Sequence, residues 1–97
     1  MAVCRIYDVA GATLDQYDEV SSKLDSAKPD GAIFHVSGML DDRLQVIEVW
    51  ESSEHLEAYE KQLGPAMEEA NVPDPLVSEF EVHKMDWVDG EVPARIK

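Results

Sequence analysis

Hydrophobic periodicity along this chain follows the order strand, helix, strand, strand, helix, strand, and that order leaves few folds open. Residues 2–9, "AVCRIYDV", are rich in Val, Ile and Tyr and predict a strand. After the "AGAT" turn, Thr13 with Gln16 three residues later has the form of a capping box. Leu14, Tyr17, Val20 and Leu24 then recur at helical spacing, with Asp15, Asp18, Glu19 and Lys23 on the opposite side. "AKPDG" ends this helix, because Pro29 and Gly31 both oppose its continuation. A strand over 32–37 comes next, followed by a turn over "GMLDDR" (38–43) and a strand over 44–50, "LQVIEVW", which together predict a hairpin.

Ser52 or Ser53 caps a second helix whose apolar stripe is Leu56, Tyr59, Leu63 and Met67. Gly64 and Pro65 are expected to break it, leaving a short helix over 66–70. "NVPDP" is a loop by composition, and 77–87, "VSEFEVHKMDW", alternates as a last strand. The order β-α-β-β-α-β predicts an α+β, ferredoxin-like domain over residues 1–87, with 88–97 as a C-terminal tail. Right-handed crossovers place both helices on one face of a four-stranded antiparallel sheet, in the strand order 4-1-3-2 usual for this arrangement.

Parity divides the strands into two faces. One carries Cys4, Ile6, Phe34, Val36, Ile47, Val49, Phe80 and Val82 and is almost wholly apolar. The other mixes greasy and ionisable groups: Val3, Arg5, Tyr7, Ile33, His35, Val46, Glu48, Trp50, Glu81, His83 and Met85. A hairpin turning through 38–43 sets His35 opposite Val46 and Ile33 opposite Glu48. The helices offer about four large apolar side chains each, too few to cover a sheet, so a gap between helices and sheet is expected. The mixed face is assigned to that gap and the apolar face to a second copy of the chain, since a monomer rarely exposes so large an apolar patch. The reverse assignment is the structural alternative.

Charge and cysteine content narrow the partners. With 21 acids against 8 bases the chain carries −13, a field that repels phosphate backbones and anionic lipid, so neither nucleic acid nor membrane is expected as a partner. The single cysteine, Cys4, closes no intrachain disulfide, fits a reducing cytoplasmic setting and reads as a small hydrophobe. No charged stretch followed by an apolar one opens the chain, so no signal peptide is expected, and no apolar run reaches the roughly 18 residues of a membrane span.

"TLDQYDEV", "PDGAIFHVSG", "VIEVWESSEHLEAY", "LGPAMEEANVPDP" and "FEVHKM" together resemble the dimeric α/β-barrel proteins of the antibiotic biosynthesis monooxygenase superfamily. The resemblance runs from the first strand to His83. It implies that two subunits join their sheets into one barrel and that a small ligand binds between sheet and helices. It fixes no activity, since the superfamily includes cofactor-free oxygenases, haem-degrading enzymes, cyclases and isomerases. The haem-degrading branch relies on an Asn in the first strand and on a Trp and a His from the second helical region. Here the first strand offers Arg5 and Tyr7, Tyr59 stands nine residues after Trp50, and 60–75 contain no His, so haem degradation is not carried over.

No phosphate loop, paired CxxC, HExxH or nucleophile elbow is present, so no metal or cofactor is expected and function rests on the gap. His35 and His83 are the candidate general bases or acids, with Glu48 as a carboxylate on the same face. A structural Arg5–Glu48 pair across neighbouring strands is the plainer reading of Glu48. In one subunit the two histidines lie on the outer strands, about 14 Å apart, so only a contact across two subunits brings them together. Tyr7, Tyr17, Val46, Trp50 and Tyr59 are the candidate substrate-binding walls, although Tyr17 and Tyr59 also serve as ordinary core. His55 is expected to face solvent. Two functions compete: an enzyme on a small apolar or aromatic molecule, and a non-catalytic ligand-binding or structural dimer of stress-response type. An open cavity of some 300 Å³ or more touching His35 favours the enzyme or ligand-binding reading, and a filled gap the structural one.

Overall fold

Thr13 and Gln16 close the expected capping box: Thr13 Oγ1 accepts the Gln16 amide at 3.1 Å, and Gln16 Oε1 accepts the Thr13 amide at 3.0 Å. The computed structural model describes residues 1–24 and 29–86. Its elements are β1 (Val3–Ala10), α1 (Leu14–Lys23), β2 (Ala32–Leu40), β3 (Arg43–Trp50), α2 (Ser53–Glu69) and β4 (Leu76–Glu81). The strands form one antiparallel sheet in the order β2-β3-β1-β4, so the ferredoxin-like α+β topology is as the periodicity predicts. Ser52, not Ser53, caps α2, its side chain accepting the His55 amide.

The hairpin differs from expectation. β2 runs on to Leu40 and β3 begins at Arg43, so only Asp41 and Asp42 turn the chain, with Asp41 in the left-handed region at φ 54. A short polar side chain tolerates that conformation, and the "GML" assigned to the turn extends the strand instead. The register consequently moves by two residues: His35 lies opposite Glu48 and Ser37 opposite Val46. A shift of two keeps the faces. A register irregularity between Ala32 and Phe34 then sets Ala32, not Ile33, opposite Trp50, and Ala32 packs with the Val3, Trp50 and Leu56 cluster under α2.

Gly64 and Pro65 do not break α2, which is continuous to Glu69. Both residues are exposed, so the Lys61 carbonyl that loses its amide partner at Pro65 faces water. The helix is closed beyond Glu69 by Asn71, in the left-handed region at φ 57. Val72 N–H bonds Met67 O at 3.0 Å and Asn71 N–H bonds Glu68 O at 3.1 Å, a Schellman closure that folds Val72 back against Met67. Gln16 Nε2 donates to Asn71 O at 3.1 Å, tying the start of α1 to the end of α2.

β4 is shorter than expected. Val82 N–H still bonds Ala2 O, but the ladder with β1 ends at Glu81 opposite Val3. His83 and Met85 therefore lie past the sheet and are exposed. Trp87 and the 88–97 tail fall outside the described residues.

The mixed face lies under the helices. Val3, Tyr7, Val46, Glu48 and Trp50 are all buried, as are Val9 and Leu44 on the same side. The opposite face leaves Phe34 at 42%, Val36 at 45% and Phe80 at 53% exposure, with only the small Cys4 and Val49 covered by their neighbours. Leu14, placed in the apolar stripe of α1, is half exposed; Tyr17, Val20 and Leu24 carry the contact instead.

Candidate functional site

β2, β3 and β1 each aim one titratable side chain from the mixed face into the space beneath α1 and α2, His35, Glu48 and Tyr7, and Val9, Leu44 and Val46 join them from β1 and β3. α1 contributes Tyr17 and Val20, α2 contributes Tyr59, Leu63 and Met67, and the Schellman turn contributes Val72. The enclosed space is about 100 Å³. That exceeds the room one water needs, so the gap is not filled, but it falls short of some 300 Å³. A second, more open cleft of about 270 Å³ lies between α2, the 73–75 loop and β4. Tyr7, Leu63, Met67 and Val72 are walls of both.

His35 sits at the mouth of the inner cavity, its side chain about half exposed and its ring stacked on Tyr17 with 6.2 Å between centroids. Its Nε2 stands 3.7 Å from Glu48 Oε2. Partial burial lowers the His35 pKa, so the neutral imidazole, which can accept a proton, is favoured. Glu48 is the one buried charged residue among the described residues. Burial raises its pKa, opposed by the hydrogen bond from Trp50 Nε1 to Glu48 Oε1 at 3.2 Å and by the charge of Arg5.

Arg5 does not form the expected pair with Glu48. The two residues are register partners, but the guanidinium turns to Glu60 on α2 and Glu79 on β4, at 2.5 Å and 2.6 Å. It closes the sheet against α2 at the outer cleft and leaves Glu48 with Trp50 as its hydrogen-bond partner. Tyr59 packs on Trp50 with ring centroids 4.9 Å apart, and burial together with the Glu48 charge pushes its hydroxyl up to about 12. Burial raises the Tyr7 hydroxyl further, with Glu48 and Glu60 adding to the shift.

Of the residues singled out from sequence, His35, Glu48, Tyr7, Tyr17, Val46 and Tyr59 line the cavity together. Trp50 stands behind it, fixing Glu48 and Tyr59 rather than forming a wall. His83 is not part of it, because the strand that was to carry it stops at Glu81. His55 does not simply face solvent: Nδ1 contacts Ser52 Oγ at 2.7 Å and the ring covers Gly31, locking the start of α2 to the start of β2. Leu44, Met67 and Val72 were missed as walls. The α2 stripe contains Met67, but the return of Val72 depends on a turn that sequence spacing does not reveal. Among the described residues no three His, Cys, Asp or Glu side chains stand close enough to hold a metal ion, and no helix is long and apolar enough to cross a membrane.

No protein-family model matches the chain, and no curated protein matches it in sequence. Solved structures do match in fold. SnoaB, a cofactor-independent oxygenase from Streptomyces nogalater, superposes with a TM-score of 0.67 over 87% of this chain and 95% of its own, at 10% identity. A candidate antibiotic biosynthesis monooxygenase from Chloroflexus aurantiacus gives 0.66 over 91% and 99%, at 14% identity. MupZ from Pseudomonas fluorescens gives 0.62 over 95% and 98%, at 8% identity. The chain therefore has the fold of the antibiotic biosynthesis monooxygenase-like proteins, as its sequence resemblance implies.

Proposed function

We propose that this antibiotic biosynthesis monooxygenase-like fold binds a small apolar or aromatic molecule between sheet and helices, and that His35 performs acid–base chemistry on it without a bound cofactor. The observation that carries this reading is a favoured-neutral imidazole at the mouth of a mostly apolar cavity, 3.7 Å from a buried carboxyl. His35 takes a proton from a carbon or phenol acidified by a neighbouring carbonyl or ring, and Glu48 holds the resulting imidazolium. The carbanion then meets its electrophile, dioxygen in an oxygenase or an internal carbonyl in a cyclase; returned to another carbon, the proton completes an isomerisation. The fold shared with a cofactor-independent oxygenase supports the class.

The same reading has two copies of the chain joined through the outward face of the sheet. Phe34, Val36 and Phe80 form an exposed apolar row there that a second sheet of the same kind would cover, with an obligate contact of roughly 2,000 Å² or more. Buried Cys4, its thiol pKa raised by burial, takes no part and remains a packed thiol in a reducing cytoplasm.

The test is deuterium exchange at the acidic benzylic C1 of 2-tetralone in heavy water, followed by proton NMR. Wild-type protein is expected to accelerate exchange and His35→Ala to lose at least a hundredfold of that rate while keeping its circular dichroism. Binding without exchange in the wild type favours the alternative, a non-catalytic ligand-binding dimer. Neither binding nor exchange favours the purely structural dimer of stress-response type.

A further inference from the structure

Trp50 is buried among Val3, Ala32, Leu56 and Tyr59, and its indole N–H reaches Glu48, two residues back on the same face of β3. The two oxygens of the Glu48 carboxyl are thereby divided. Oε1 accepts from Trp50 Nε1 at 3.2 Å, and Oε2 faces His35 Nε2 at 3.7 Å. The other titratable groups around this carboxyl are Arg5 and Tyr7 from β1 and Tyr59 and Glu60 from α2, while Tyr17 of α1 stacks on the His35 ring. Arg5 directs its N–H groups at Glu60 and Glu79, and Glu60 opposes ionisation of Glu48. Trp50 is the hydrogen-bond donor that favours the charged form from within the core.

We propose that Trp50 is a positioning residue for His35: its indole N–H holds Glu48 ionised and turned toward Nε2, which leaves Nδ1 as the nitrogen that takes a proton. This rests on the acid–base reading above and adds to it which nitrogen reacts and what fixes that choice. A carboxylate facing Nε2 favours the tautomer with its proton there, so the lone pair of the neutral ring lies on Nδ1. When Nδ1 takes a proton, the imidazolium forms 3.7 Å from that carboxylate, whose charge stabilises it. Removing the indole N–H withdraws a hydrogen bond from a buried carboxylate, and Glu48 then keeps its proton to higher pH. A protonated Glu48 offers the ring no negative charge. His35 becomes a weaker base, although Trp50 touches neither it nor a ligand.

The test is an NMR titration of the ligand-free protein, so its failure is distinct from failure of the pocket reading, which 2-tetralone exchange decides. In the wild type at pH 8 the His35 nitrogen shifts are expected to show the Nε2–H tautomer. The Trp50 indole proton is expected to move with pH through the same midpoint as the Glu48 carboxyl carbon. His35→Ala assigns the imidazole signals and Trp87→Phe the indole signal. Trp50→Phe is expected to raise the Glu48 midpoint by about one pH unit, the worth of one hydrogen bond to a charged group, and to lower the His35 midpoint by about half a unit. In Glu48→Gln protein the same Trp50→Phe change is expected to leave the His35 midpoint in place, because nothing remains to transmit it. A His35 midpoint that Trp50→Phe does not move, or moves equally in both backgrounds, makes Trp50 a packing residue and overturns the proposal. An Nδ1–H tautomer in the wild type, or an indole proton that ignores the Glu48 titration, overturns it without any substitution in the core.

Discussion

Glu48 Oε2 stands 3.7 Å from His35 Nε2 on the neighbouring strand, an acid and a base whose pKa values burial moves toward the neutral form of each. The two groups have opposite linkage to stability. Glu48, with a folded pKa above its unfolded value, binds the extra proton in the native state, so it destabilises progressively as pH rises above about 4.5. His35, with a folded pKa below its unfolded value, destabilises as pH falls below about 6.5.

Glu48→Gln is expected to raise the melting temperature at pH 8, because it removes the buried charge while the amide oxygen still accepts from Trp50. At pH 4 the two proteins should melt together. A pH-independent difference in melting between them would show that Glu48 carries no shifted proton.

His35→Ala should remove acid–base turnover with little loss of stability, since half of its side chain is already exposed. His35→Gln is the companion variant, restoring the contact with Tyr17 but not the base. A drop of several degrees in melting temperature, with ligand affinity retained, would make the ring a packing residue.

Phe34→Asp and Phe80→Asp should each convert a dimer to a monomer, because both side chains project from the outward face. Light scattering at micromolar concentration reads the mass directly. A wild-type protein that already scatters as a stable monomer would refute the pairing of sheets.

Gly64→Ala should stabilise α2 by about 0.5–1 kcal/mol, since a Cβ there meets nothing within 4 Å and glycine is a poor helix former. Gly31→Ala should destabilise by about 1 kcal/mol or more: its φ is +83, and the new Cβ would fall 2.3 Å from the His55 ring. Urea melts of the two variants give opposite signs. Equal effects would mean that His55 does not clamp β2 to α2.

Strand parity and helical period fixed the element order, the two faces of the sheet and the membership of His35, Glu48, Tyr7 and Tyr59 in one lining, because these follow from alternation along each element alone. Tertiary structure decided what depends on where elements stop and what meets them. Asp41 and Asp42 make so short a turn that the hairpin register moves by two, pairing His35 with Glu48. β4 pairs with β1 only as far as Glu81 opposite Val3, which takes His83 out of the site. Exposure lets α2 pass through Pro65, and the closure at Asn71 brings Val72 over the cavity. Arg5 leaves Glu48 for Glu60 and Glu79 because two carboxylates from α2 and β4 reach it at the open edge, an encounter between elements distant in sequence.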